Sequence, residues 1–319
     1  MIVRWGRAEL AAMCEELGVR APLLVASPRW DAVDLPIEPH ARWREVPSDR
    51  VDEAAAEAGD GIVALGGGSA IDLGKAISAA TGLPLVSVPT TYAGAEWTRF
   101  FGVRDQGRKI RGGGSGAHLA GAVYEVELTL DLPRETTVGT ALNALAHCAE
   151  ALYVQGHNAA ADKDALEGAR LISASLPRVV RSLYDRDART GLLRGACHAG
   201  AALGASGLAL AHALAQAVGG RYGLPHGTLN AVCLPPALRY NARWAPEPVR
   251  RFGEALGGAP VERVEELAAL GGATRLRDLD VPAADLPELA QLAAARPGNR
   301  ANPHAATPSE IEELLRSVW

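Results

Sequence analysis

Aromatic side chains make up only 5% of this 319-residue chain, and cysteines number four. Cys14, Cys148, Cys197 and Cys233 stand far apart, without the close pairs of a zinc finger. They suit a reducing compartment, and three of them fall in helix-like apolar stretches as small core residues. No run of roughly 18 apolar residues occurs, so no membrane-spanning helix and no membrane partner are expected. The opening residues lack the zones of a signal peptide, which makes a cytoplasmic protein the expectation. Surplus positive charge is also missing. The chain has 32 Lys and Arg against 37 Asp and Glu, a net charge of −5 and a pI near 5.9. Bulk electrostatics therefore predict no nucleic-acid partner.

What is present divides the chain. Hydrophobic residues make up 48% and charged residues 22%, as in a globular protein long enough for one large or two medium domains. Up to residue 132, short apolar runs alternate with helical periodicity. Helices are expected over 7–18, 49–58 and 69–80, and strands over 22–26, 61–65 and 83–88, with weaker strands near 42–46 and 122–124. Alternating strand and helix mean an α/β domain with a parallel sheet, whose ligands sit beyond the strand C-termini. Two turns lie at such ends, Gly66-Gly67-Gly68-Ser69 and Pro89-Thr90-Thr91. Glycines let a backbone approach a ligand closely, and a helix N-terminus offers N–H groups to a phosphate. Ser69 reads as the N-cap, with Asp72 completing a capping-box-like start. The spacing is neither a P-loop nor G-x-G-x-x-G, because Ile71 stands where the third glycine belongs, and a plain strand-to-helix turn is the competing reading. The basic, glycine-rich stretch 104–116 reads as a mobile loop or hairpin.

From residue 133 the chain becomes rich in Ala, Leu and Arg with helical periodicity. Helices are expected over 136–154, 159–184 (with Pro177 as a kink or break), 188–218, 228–241, 247–256, 261–270 and 308–317. This all-α region sets a boundary at 132, giving domains 1–132 and 133–319. Polar residues interrupt its apolar helices at helical spacing. Asn143 and His147 stand four apart, as do His212 and Gln216, and His226 ends the turn 223–227. Three histidines with an open position suit Zn²⁺ or Fe²⁺ acting as a Lewis acid on a carbonyl or alkoxide oxygen; hydrogen-bonded core histidines are the alternative. His40, His118, His157, His198 and His304 read as ordinary histidines.

Several stretches carry a resemblance. ALGGGSAIDLGK over 64–75, PTTYAGAEWT over 89–98, YEVELTLDLP over 124–133, NALAHCAEALY over 143–153, GGRYGLPHG over 219–227 and Asn302-Pro303 follow one another as in a known family. The sequence resembles the iron-containing (group III) alcohol dehydrogenases, and within them most closely the maleylacetate reductase branch. The resemblance implies an NAD(P)-binding α/β domain followed by a helical substrate and metal-site domain, the dehydroquinate synthase-like fold. It implies that Gly66, Gly67, Gly68 and Ser69, with Asp72, hold the cofactor pyrophosphate, that Thr90 and Thr91 line the adenosine side, and that Lys109 lies near the nicotinamide. The metal positions of the family fall on Asn143, His147, His212 and His226, and a further family histidine beside the nicotinamide falls on Gln216.

Two of these positions depart from the family. Asn143 replaces an aspartate, which weakens affinity for a divalent cation, and Gln216 cannot titrate. Against the family pattern, a trimmed N-terminal strand pair is the expectation. The expected activity is reversible hydride transfer between NAD(H) or NADP(H) and a small carbonyl or hydroxy compound, with His147, His212, His226 and Lys109 as catalytic groups. Lys109, Arg108 and Arg111 either meet a substrate carboxylate, which suits a keto-acid, or form a solvated loop. Ser27 after the second strand and Arg29 nearby leave NAD and NADP both open. Competing readings are a tailoring dehydrogenase that oxidises and decarboxylates a β-hydroxy acid, even at a peptide C-terminus, a lyase on the same scaffold, and a non-catalytic binding protein. A homodimer is the expected assembly.

Overall fold

The computed structural model describes residues 1–107 and 109–319, so the candidate Arg108 lies outside the described residues. The chain forms two compact units, Met1–Thr129 and Leu130–Trp319.

The first unit is built on a six-stranded parallel sheet. Its strands are β1 (Ile2–Trp5), β2 (Leu23–Val25), β3 (Ala41–Trp43), β4 (Ile62–Gly66), β5 (Pro84–Pro89) and β8 (His118–Tyr124), in the order β1-β8-β5-β4-β2-β3. Along β4 the side chains alternate. Val63 and Leu65 enter a core with Leu10, Met13 and Val86, while Ile62 and Ala64 enter another with Leu73, Ile77 and Leu85. Helices α1 (Glu9–Glu16), α2 (Val51–Ala56) and α3 (Gly68–Thr81) complete the unit. Helix α3 lies close on the sheet because Gly74 lacks a side chain: a Cβ there would stand 2.9 Å from the Ala64 Cβ. The direction of winding reverses between β2 and β4, which makes the C-terminal ends of these strands the switch-point crevice.

Strand β1 is absent from the sequence expectations. Four residues at a sheet edge give no readable pattern, and their partner β8 arrives more than a hundred residues later. Stretch 104–116 belongs to an antiparallel hairpin, β6 (Phe101–Arg104) with β7 (Ile110–Gly114).

The second unit is helical. Its core helix α4 (Arg134–Tyr153) is buried along nearly its whole length by small and apolar residues, as a central helix must be. Around it stand α5 (Ala159–Arg181), α6 (Arg186–Ser206), α7 (Leu210–Tyr222), α8 (His226–Asn241), α9 (Pro246–Leu256) and α10 (Pro260–Ala269). Asn158 caps α5 by accepting from Ala161 N at 3.0 Å, and Asp185 caps α6 by accepting from Ala188 N at 2.9 Å. Pro177 lies inside α5 without ending it. The single helix expected over 188–218 is in fact two. Gly207, at φ 108°, ends α6, and α7 departs at 98° to it. The apolar periodicity continues through the break, so only the glycine marks it. Helices α11 (Leu286–Ala294), α12 (Pro297–Ala301) and α13 (Pro308–Ser317) complete the unit, the first two without a sequence expectation.

Candidate active site

The glycine turn links β4 to α3. Gly66 has φ 151°, and a Cβ on it would stand 2.8 Å from the Ala70 Cβ. A Cβ on Gly67 would meet Thr91 Cγ2 at 3.0 Å, whereas one on Gly68 would meet nothing within 4 Å. The turn is therefore held from behind and open at Gly68. Strand register places Gly66 opposite Pro89, and Thr90 N donates to Gly66 O at 3.0 Å, so the two expected turns form one surface. The loop after β2 joins them, with Trp30 Nε1 3.9 Å from the Gly66 Cβ position.

The capping expectation is corrected. The N-cap of α3 is Gly67, and no side chain caps the helix; Ser69 lies inside the first turn. With no capping side chain, its first amides point into the open turn and suit a phosphate. Asp72 caps nothing. It pairs with Lys75 Nζ at 2.7 Å and accepts from Gly102 N at 3.2 Å. Lys75, only 1% exposed, also donates to Ala95 O at 2.9 Å, Thr98 Oγ1 at 3.1 Å and Phe100 O at 2.7 Å. Asp72 and Lys75 thus clamp the segment that follows Thr91. Beside it the buried Glu96 accepts from Tyr124 Oη at 2.7 Å, and burial raises its carboxyl above the usual range.

The second unit brings its polar pairs together. His147 on α4 stacks on His212 of α7 with ring centroids 4.8 Å apart, and His212 stands 5.5 Å from His226 at the start of α8. Asn143 and Asn230 lie among them. Asn230 Nδ2 donates to Asn143 Oδ1 at 2.7 Å and lies 3.0 Å from His226 Nε2, while His212 Nε2 is 3.3 Å from Asn143 Oδ1. Close backbone approach permits this. A Cβ on Gly227 would stand 2.7 Å from Gly139 O, so only glycine lets α8 start so near α4. His147 Nδ1 is buried with no hydrogen-bond partner among the described residues. Burial first, then the neighbouring His212 and His226, hold this ring well below the ordinary imidazole range, and it is neutral.

Glu150 and Asn230 are functional candidates that sequence reasoning missed. Glu150 is fully buried. Its carboxylate accepts from Ala209 N at 2.9 Å, His212 N at 3.0 Å and His212 Nδ1 at 2.7 Å. It therefore caps α7 from another helix and fixes the imidazole ring that follows, leaving Nε2 to face the cluster. Both residues had a signal. Glu150 continues the Asn143, His147 face at i+7, and Asn230 is i+4 from His226.

Gln216 follows His212 on α7, half-buried. Lys109 is exposed at the tip of the β6–β7 hairpin, its N–H donating to Asp105 Oδ1 at 2.9 Å. Arg111 Nε donates to the same carboxylate at 2.6 Å. His198 pairs with Asp164 at 2.8 Å and His304 stacks on Trp244 at 3.8 Å.

Comparison with known proteins decides the family. The description "Iron-containing alcohol dehydrogenase" matches residues 4–120, and "Fe-containing alcohol dehydrogenase family, C-terminal" matches 137–319. The chain belongs to the iron-containing alcohol dehydrogenase family. As an iron-containing alcohol dehydrogenase it is an NAD(P)-dependent oxidoreductase. Maleylacetate reductase 1 of Rhodococcus opacus is 39% identical over 262 residues, 82% of this chain and 73% of that protein. The maleylacetate reductase of Burkholderia cepacia is 39% identical over 280 residues, 86% of this chain and 79% of that protein. The crystal structure of maleylacetate reductase from Agrobacterium tumefaciens superposes with a TM-score of 0.90 at 32% identity, covering 100% of this chain and 95% of that one.

Iron-containing alcohol dehydrogenases use NAD(P)H and a divalent metal. The glycine turn fits the nucleotide: Gly68 opens onto space where a phosphate can stand, before uncapped helix amides. The donor set fits a divalent ion poorly. Asn143 is a neutral amide whose oxygen already accepts from Asn230, and Asn230 Nδ2 also occupies the Nε2 side of His226. Among the described residues no group of three His, Cys, Asp or Glu is arranged to hold a metal ion. Asn143, Asn230, His212 and His226 bond to one another, while His147 Nδ1 and Asn230 Oδ1 are left without a hydrogen-bond partner among the described residues.

Proposed function

We propose that this oxidoreductase reduces a small keto-acid of the maleylacetate type, at its carbonyl or at a double bond conjugated to it. The observation that carries the reading is the imidazole cluster of buried His147 and His212 with half-buried His226, in which Glu150 holds His212. The relatives named maleylacetate reductase support the substrate class. They give no support to the decarboxylating, lyase or non-catalytic readings.

In this reading Gly66, Gly67, Gly68 and the first amides of α3 bind the pyrophosphate, with Ser69, Thr90 and Thr91 beside it. A bound reduced nicotinamide supplies the hydride. Negative charge then develops on the substrate oxygen, where imidazole N–H donors stabilise it. His212 is the best placed group: Glu150 accepts from its Nδ1 and turns Nε2 to the cluster, so the ring donates from Nε2, and passes that proton to the substrate oxygen, in its imidazolium form. Asn143 and Asn230 hold the rings in register, and the apolar walls of α4 and α7 exclude water. Protonation of the substrate completes a two-electron reduction. Gln216 orients a hydroxyl or ribose and takes no part in proton transfer.

The test is turnover followed at the reduced-nicotinamide absorbance band, with NADH and NADPH in turn against maleylacetate, a saturated keto-acid and simple alcohols. Turnover with maleylacetate is expected. Turnover confined to alcohols would falsify the reading. We place the protein in the cytoplasm as a homodimer. Among the described residues no single helix is long and apolar enough to cross a membrane, and sedimentation measures the assembly directly.

A further inference from the structure

The second unit holds a cation that its fold does not consume. Arg296 stands immediately before α12, half-buried, and among the described residues no carboxylate pairs with it. Other arginines of this unit are paired: Arg221 with Glu288 at 3.0 Å, Arg251 with Asp162 at 2.7 Å and Arg263 with Glu266 at 2.9 Å. Among the described residues the one side-chain hydrogen bond of Arg296 is long, from Nη2 to the main-chain oxygen of Gln216 at 3.4 Å. A Cβ on Gly220 would stand 3.5 Å from the same Nη2. His212, Gln216, Gly219 and Gly220 recur at i, i+4, i+7 and i+8, one face of α7. The guanidinium therefore lies against the Gln216 and Gly220 end of the face that begins with His212, where Gly220 leaves it room.

Its mounting is rigid. Asn299 ties the turn by donating to Ala294 O at 3.2 Å and Ala306 O at 2.9 Å and accepting from Ala306 N at 2.9 Å. Gly298 lies so close to the start of α7 that a Cβ would be 2.6 Å from Ala209 O. An arginine fixed on a stiff turn, half out of water and with most of its five donors unused, is suited to bidentate binding of a carboxylate. The basic residues that the sequence offers for this task are paired or exposed. Arg111 is paired with Asp105, and Lys109 is exposed at a hairpin tip.

We propose that Arg296 is the carboxylate-binding residue for the substrate and makes the enzyme selective for keto-acids over neutral carbonyls. The proposal rests on the reading of the protein as a keto-acid reductase, and its test separates the two. Arg296→Met and Arg296→Lys are made in the full chain. KM for maleylacetate, KM for a small neutral aldehyde, and binding of a six-carbon dicarboxylate to the NADH complex are measured. Met is expected to raise KM for maleylacetate and weaken dicarboxylate binding by about 10- to 100-fold, with kcat and the aldehyde KM within about threefold and Lys recovering part of the loss. Wild-type turnover with the same maleylacetate KM in Arg296→Met would overturn the subsite and leave the reading intact. Dicarboxylate binding that depends on Arg296 without turnover would overturn the reading and keep the subsite. Neither turnover nor binding overturns both. Equal losses on acid and aldehyde, or a fall in thermal midpoint matching the loss of activity, would also overturn the subsite by showing a structural role.

Discussion

At the scale of single residues, Glu150 and Asn143 carry the sharpest consequences. The Glu150 carboxylate satisfies two backbone N–H groups and one imidazole, all buried. Glu150→Gln keeps the shape but turns an NH₂ toward one of three donors, leaving buried groups unsatisfied. The expected cost is about 2–4 kcal/mol of stability. The kcat should fall about 10- to 100-fold, with KM for NADH nearly unchanged. Stopped-flow turnover and calorimetry check both, and an unchanged kcat would remove His212 from its role. Asn143 bears on the metal. With its oxygen engaged by Asn230, activity is expected to survive extended treatment with a chelator. Asn143→Asp restores a carboxylate beside three imidazoles, and its content of zinc or iron should rise toward one per chain by elemental analysis. Loss of activity on chelation that returns with one divalent metal would contradict the poor fit of the cluster to a metal. Neither Glu150 nor Asn230 was identified from the sequence. Each stands on a helix face already marked by a histidine, but a decisive partner, His212 for Glu150 and Asn143 for Asn230, comes from another helix.

At the scale of elements, the nucleotide turn divides into a part held from behind and a part facing open space. Gly68→Ala should leave the thermal midpoint within about 1 °C, since its Cβ would meet no atom within 4 Å and alanine suits a first helical turn. NADH affinity should still drop about tenfold or more, because the proposed binding mode puts the phosphate in that space. Gly66→Ala should instead destabilise, through φ 151° and the 2.8 Å contact with Ala70. Fluorescence titration with NADH beside thermal melts separates these effects, and equal NADH affinity in Gly68→Ala and wild type would move the phosphate elsewhere. Elements with strong local signatures were legible. Strand β4, the glycine turn and α3 form one such run, and α4 another. Helix α7 was not separated from α6, because an apolar stripe can run through a bend without changing its period. Strand β1 was not anticipated, because an edge strand of four residues is defined by its partner.

At the scale of the whole molecule, the imidazole cluster links stability to pH. Burial and its neighbours hold His147 well below the ordinary imidazole range. In the unfolded chain the ring takes up a proton near pH ~6.5, and in the folded chain only at a lower pH. Protons therefore favour unfolding. The stabilisation is complete above about pH 6.5 and is lost as pH falls from there toward the folded value, at up to ~1.4 kcal/mol per pH unit. Denaturant unfolding at pH 7, 6 and 5 should show this decline, and His147→Gln should flatten it. Glu96, raised by burial, acts with the opposite sign. It is the same in both proteins, so their difference isolates the ring. Parallel slopes in the two would refute the assignment.

The sequence by itself determined the α/β-then-helical order, the place of the glycine turn between β4 and α3 and the three histidines, because these depend on local periodicity, glycine and residue type. Tertiary structure alone decided that Asp72 serves as a clamp with Lys75 instead of a cap, that Glu150 holds His212, that Asn230 bonds to Asn143, and that Arg296 lies against the Gln216 and Gly220 end of the His212 face of α7. Asp72 and Lys75 are neighbours on one helix, but the segment they hold, and the partners of Glu150, Asn230 and Arg296, are groups distant in the chain, whose identity a residue's own neighbourhood does not carry.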